Sequence, residues 1–91
     1  MRFTTKISEC ILHNGILSFV FETGGRRIYG ETPLDSRALA ALLGAIERGS
    51  RPKDSKDFVG LMTDVEVREV RVHNGDSVLV ATNFYPPTRR V

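Results

Sequence analysis

The chain has 91 residues, a net charge of +2 and a hydrophobic fraction of 41%, which exclude a disordered chain and indicate one globular domain, 1–91. Its single cysteine, Cys10, excludes an intramolecular disulfide. The longest apolar run, 38–46, is too short to span a bilayer, and 1–6 do not resemble a signal peptide. We therefore expect a cytoplasmic protein that does not bind membranes.

The first element is a β-hairpin centred on Asn14-Gly15. Asn-Gly favours a type I′ turn, because both central residues of that turn need positive φ. A two-residue loop sets the register, and we expect three pairs on the inner face: Leu12 with Leu17, Cys10 with Phe19, and Ser8 with Phe21. The thiol of Cys10 should then be buried and inert.

A second tight turn at Gly24-Gly25 should lead into a short third strand, 26–30. A helix follows, for which Thr32 or Asp35 is the candidate N-cap and Pro33 the first helical residue. Its apolar stripe consists of Leu39, Leu42, Leu43 and Ile46. Gly49 should end the helix, and Gly44 within it suggests close packing on a sheet.

The segment 50–57 is polar and contains a proline, so it is expected to be a mobile loop. A strand should begin near Phe58 and continue through 65–72. Its valines switch parity, which predicts a β-bulge at Arg68-Glu69 that keeps all four inward: Val65, Val67, Val70 and Val72.

A second Asn-Gly turn, His73-Asn74-Gly75, should close the last hairpin. The return strand, 77–84, is apolar on both faces, which is typical of a central strand. Pro86-Pro87 should end the sheet and leave 86–91 as a frayed basic tail.

These elements predict an α+β fold of two layers. Two antiparallel β-hairpins, with five to six strands in all, would carry one central α-helix on one sheet face, in the order ββ(β)αβββ. The other face, with Ile7, Ile11 and Val20, and the free sheet edges would then be available to a partner.

Catalytic and metal-binding patterns are scarce. His13 and His73 are the only histidines, and they are the candidates for a general acid–base pair. No Cys or His spacing is typical of a metal site, and no glycine-rich loop precedes a helix, so we expect neither metal nor cofactor.

The basic residues supply the candidate binding set, together with one aromatic side chain: Arg26, Arg27, Tyr29, Arg51, Lys53, Arg89 and Arg90. The leading hypothesis is a non-enzymatic module that binds a protein partner, or a second copy of itself, through a sheet face or edge. A weakly basic nucleic-acid-binding protein is the alternative. A metal-independent nuclease that uses His13 and His73 is the second alternative.

Overall fold

The structure is a computed structural model, and it describes residues 1–46 and 51–88. Five strands, one α-helix and one 3₁₀ helix follow in chain order: β1 (Arg2–His13), β2 (Ile16–Thr23), β3 (Arg26–Pro33), α1 (Arg37–Ala45), the 3₁₀ helix (Ser55–Phe58), β4 (Met62–Arg71) and β5 (Ser77–Tyr85). In the described residues, no helix is long and apolar enough to cross a membrane.

The strands form a closed barrel in the order β1-β2-β3-β5-β4, and β4 pairs with β1 to close it. The pairing between β3 and β5 is parallel and joins Ile28 to Leu79 and Tyr29 to Val80. The two-layer α+β prediction is therefore wrong. The sheet curls on itself and buries its inner face inside the barrel, so the helix does not cover an open sheet.

β1 takes part in both halves of the barrel because it bends at a β-bulge. Its register against β2 shifts between Ile7 and Glu9, which leaves Ser8 as the extra residue. Ile7, not Ser8, consequently lies opposite Phe21 and is fully buried. The sequence prediction is wrong for Ser8, and it is wrong to place Ile7 on the outer face. The predicted pairs of Leu12 with Leu17 and Cys10 with Phe19 are confirmed.

The two Asn-Gly turns differ. Asn14 and Gly15 both have positive φ, 50° and 75°, as a type I′ turn requires. In the second hairpin, only Gly75 has positive φ, and the loop spans Val72 to Asp76 with its ends joined by a 2.9 Å backbone hydrogen bond. The first turn is as predicted, whereas the second is wider.

The helix packs mainly against β5, and its Leu42 belongs to the buried core. Its N-cap is Ser36, whose hydroxyl accepts a 3.1 Å hydrogen bond from the Leu39 amide. The prediction of Thr32 or Asp35 as the N-cap is therefore wrong. Thr32 instead belongs to β3 and is fully buried. A Cβ on Gly44 would meet nothing within 4 Å, so this glycine is not a packing contact. The predicted stop at Gly49 lies outside the described residues.

β4 does not keep all four valines inward. Val65 and Val67 are buried, but Val70 is only partly buried and Val72 is exposed. The bulge lies on the partner strand, where Thr82 has no counterpart between Glu66 and Val67. Beyond Val67, β4 pairs with β5 alone, and no second neighbour encloses its inner side. The predicted bulge at Arg68-Glu69 is therefore wrong.

The segment before β4 contains local structure where an irregular loop was expected. In the 3₁₀ helix, the Asp57 carboxylate accepts hydrogen bonds of 3.1 Å from the amides of both Lys53 and Asp54. These bonds lower the pKa of Asp57. Phe58 ends this helix with its ring in the core against Phe19, and β4 begins only at Met62.

Candidate ligand-binding face

Barrel closure aligns one outward residue from each strand. The pairing runs from Glu9 to Val20, then Tyr29, Val80 and Arg68. Neighbouring strands lie about 4.8 Å apart, so this row crosses the whole barrel wall. Because outward residues alternate along a strand, Arg27 and Val78 share the same side. We call this surface the arginine–tyrosine face: Arg27, Tyr29, Arg68, Val78 and Val80.

Tyr29 is the exposed centre of this face, with 42% of its surface accessible. Val20 and Val80 stand beside it on the neighbouring strands, and both are partly buried. The phenol ring therefore lies between two apolar side chains. An aromatic ring in this setting presents a flat surface on which another planar group can stack.

Arg27 lies two residues before Tyr29, and its Nε atom is 3.4 Å from the Glu22 carboxylate. The Tyr29 side chain, followed by the charges of Glu22 and Glu9, raises the pKa of the Arg27 guanidinium. Because Arg27 is exposed, the ion pair with Glu22 contributes little to stability and can be exchanged for a ligand.

Charges of both signs lie on the outer wall: Lys6 pairs with Glu22 on the β1 side, and Glu66 lies two residues before Arg68 on β4. Glu9, Glu22 and Glu31 alternate outward on β1, β2 and the end of β3. Arg68 lies beyond Tyr29 on the β4 side. In the row of paired residues, Tyr29 therefore lies between Glu9 on the β1 side and Arg68 on the β4 side.

Only part of the predicted binding set comes together. Arg27 and Tyr29 lie on the face, but Arg26 points to the other side of β3, with its guanidinium 5.7 Å from the centre of the Phe3 ring that packs against the core. Lys53 lies near Leu17, at the opposite end of β2 from Arg26, and Arg51 precedes it in the same segment. Arg89 and Arg90 lie outside the described residues.

Sequence reasoning missed Arg68 and Val80 as members of this surface. The available signal was the apolar character of both sides of β5, which agrees with its two neighbours, β3 and β4, although no strand of a closed barrel is central. Knowing that β5 has two neighbours does not reveal which strands they are. The β3–β5 pairing that joins Val80 to Tyr29 is long-range and has no local signature.

The two histidines do not form a pair. His13 adjoins Ile16, at the end of β2 that pairs with Pro33, the last residue of β3. His73 lies just before β5, at the level where β3 begins. The length of β3 separates them, about 20 Å at the usual rise per residue. The acid–base pair has no geometric basis.

The described residues contain neither a group of metal ligands nor a reactive thiol. Within 1–46 and 51–88, no three His, Cys, Asp or Glu residues are grouped as metal ligands would be. Cys10 is only partly buried, so the prediction of a buried thiol is wrong, but the burial it has raises the pKa of the thiol to about 11 and keeps it protonated at neutral pH.

The class that fold and site define is a small closed β-barrel with an exposed tyrosine on its outer wall. No family model matches the chain, and no curated protein or solved structure is significantly similar to it.

Proposed function

We propose that this protein is a non-enzymatic module that binds single-stranded nucleic acid on the arginine–tyrosine face. The observation that carries the proposal is the exposed ring of Tyr29, set between Val20 and Val80, with Arg27 two residues earlier on the same strand and Arg68 two strands away. A base has a planar surface for the ring, and its phosphates are anionic partners for the guanidinium groups.

The spacing of these groups suits one stacked nucleotide and its flanking phosphates. Arg68 is two strands away from Tyr29, which corresponds to about 10 Å. Stacking of one base on an aromatic side chain contributes about 1–3 kcal/mol. Glu9 and Glu22 on the β1 and β2 side would repel phosphate, so the strand should run from Tyr29 across β5 to Arg68 and stop short of Glu66.

The strand architecture supports the proposal by analogy with other five-stranded barrels. Five-stranded barrels of the oligonucleotide- and oligosaccharide-binding type use the face of their second and third strands to hold ligands. Tyr29 lies on the third strand here. This is an analogy of fold, and it does not by itself identify a ligand.

The single-stranded form is favoured because a duplex hides its base planes from the tyrosine. The contact should depend only modestly on salt, because just two arginines face the strand. Two phosphate contacts on a single strand predict a slope of about −1.4 in log affinity against log salt.

The experiment is fluorescence anisotropy with a labelled 12-nucleotide oligo-dT and a duplex of the same length. We expect the single strand to bind more tightly, and Tyr29→Ala to weaken its affinity about tenfold. Tyr29→Phe keeps the ring and should retain binding. Arg51→Ala is the control for a cation away from the face. Absence of binding at low salt, or equal affinity of wild type and Tyr29→Ala, contradicts the proposal.

A protein partner or a second copy is the second candidate, on the β1–β2 side of the same wall. Ile11 is 62% exposed there, two residue pairs along from Val20, and such exposure favours an apolar contact. The face is favoured over an edge, since each strand of the closed barrel has two neighbours over part of its length. Sizing at several concentrations tests self-association, which Ile11→Glu should abolish.

A further inference from the structure

A groove of about 410 Å³ lies at the end of the barrel that is remote from Arg26, between the β1–β2 hairpin and the 3₁₀ helix. It is open to solvent rather than enclosed. We call it the leucine–lysine groove, after the residues that line it: Leu12, Leu17, Leu34, Phe58, Lys53 and Lys56.

The floor and walls of the groove are apolar. Leu17 and Phe58 form the floor and belong to the buried core. Leu12 and Leu34 form the walls and are 50% and 45% exposed. The Leu34 amide donates a 2.8 Å hydrogen bond to the Gly15 carbonyl, which fixes this wall beside the hairpin turn. The groove is therefore a preformed apolar concavity.

The rim of the groove carries the positive charges of Lys53 and Lys56. Neither Lys53 nor Lys56 forms a salt bridge within residues 1–46 and 51–88. The nearby Asp57, which does not line the groove, accepts hydrogen bonds from the amides of Lys53 and Asp54, and the charges of both lysines help to lower its pKa. Asp54 is the one acidic residue among those that line the groove, against two lysines.

We propose that the leucine–lysine groove binds an extended segment of a partner protein that carries aliphatic side chains next to Asp or Glu. The aliphatic groups would contact Leu12 and Leu34, and the carboxylates would meet Lys53 and Lys56. Nucleic acid fits this site poorly, because Phe58 is only 4% exposed and cannot stack with a base. The groove is thus chemically distinct from the arginine–tyrosine face.

The test is selection of binders from a displayed library of random 12-residue peptides against the intact protein. We expect enriched sequences to combine Leu, Ile or Val with Asp or Glu. Labelled synthetic versions are then titrated by anisotropy. Lys53→Glu/Lys56→Glu should weaken their binding at least tenfold, whereas Lys6→Glu, which reverses another exposed lysine, should leave it unchanged.

Tyr29→Ala separates the two proposals, since it should abolish oligonucleotide binding without affecting the peptides. Circular dichroism checks that each variant is folded. Failure to enrich any peptide overturns the groove proposal. So does enrichment of peptides without acidic residues, or of peptides that bind the Lys53→Glu/Lys56→Glu variant as tightly as the wild type.

Discussion

The hydroxyl of Thr88 donates a 2.8 Å hydrogen bond to the carboxylate of Asp64, which is 2% exposed. The Thr88 amide reaches the other carboxylate oxygen at 3.3 Å, and Arg2 Nε lies 3.5 Å from the first. Arg2 also covers the Tyr85 ring at 4.0 Å. Asp64 thus joins β1, β4 and the C-terminal segment. The prediction that 86–91 are frayed is therefore wrong as far as Thr88.

Replacing Asp64 should therefore destabilise the barrel. Asp64→Ala should lower the free energy of unfolding by about 2–3 kcal/mol, since it removes charge-assisted hydrogen bonds in a buried setting. Arg2→Ala is the comparison, because the Arg2 side chain is 47% exposed and its ion pair should be worth less than about 1 kcal/mol. Urea denaturation measures both. Equal losses would show that the ion pair, not the threonine contact, dominates.

The same carboxylate should make stability depend on acid pH. Burial by itself raises the pKa of Asp64, but hydrogen bonds from Thr4 and Thr88 and the charge of Arg2 outweigh it and lower the pKa below the usual value. The unfolded chain, with a pKa of about 3.9 at this residue, then binds the proton more readily than the folded chain. The contribution is complete above that value and is lost as the pH falls through the lower folded pKa.

Unfolding curves from pH 2 to 7 test this expectation. Asp64→Asn cannot titrate, so its stability should fall less between about pH 4 and 2 than that of the wild type. Parallel pH profiles for the two proteins would show that other carboxylates account for the acid sensitivity.

Two buried threonines should respond oppositely to valine. Thr32 Oγ1 is buried and has no hydrogen-bond partner among the described residues, whereas Thr5 Oγ1 donates a 2.9 Å bond to the Thr63 carbonyl. Thr32→Val removes an unsatisfied hydroxyl and should stabilise the protein by about 1 kcal/mol. Thr5→Val should destabilise it by about as much. Thermal unfolding of both variants measures the two changes in stability. A loss of stability in Thr32→Val would point to a hydrogen-bond partner for this hydroxyl.

Two glycines give a second contrasting pair. A Cβ at Gly30 would lie 3.1 Å from the Phe21 ring and 3.4 Å from Ala81 Cβ, whereas a Cβ at Gly44 meets nothing within 4 Å. Gly30→Ala should cost about 1–3 kcal/mol through overpacking. Gly44→Ala, in the exposed part of α1, should add up to about 1 kcal/mol of stability. Chemical denaturation compares them, and a stable Gly30→Ala variant would mean that the Phe21 ring can move aside.

Cys10 should react slowly in the folded protein. Burial raises its pKa from 9.0 to about 11, so the thiolate fraction at pH 8 falls about a hundredfold. Labelling with a thiol reagent should be slower by about that factor than in urea, where the chain is unfolded. Comparable rates in the two conditions would show that the thiol is accessible in the native state.

Local signals in the sequence located most elements but not their arrangement. Asn14-Gly15 and Gly24-Gly25 are turns, as expected, because positive φ at these positions has a residue-level cause. The third strand was also predictable, although it extends to Pro33. Arg27 and Tyr29 were found among the candidate residues, but Arg68 was not, because only the partners of β5 place it on the same face.

The sequence alone determined where the chain turns, which strands have one apolar side, and that a single short helix interrupts them. Tertiary structure decided that the strands close into a barrel rather than an open sheet under the helix. An alternating strand buries its apolar side equally well in either arrangement, so periodicity cannot distinguish them. The choice depends on the bend of β1 at Ser8 and on the distant pairings of β1 with β4 and β3 with β5.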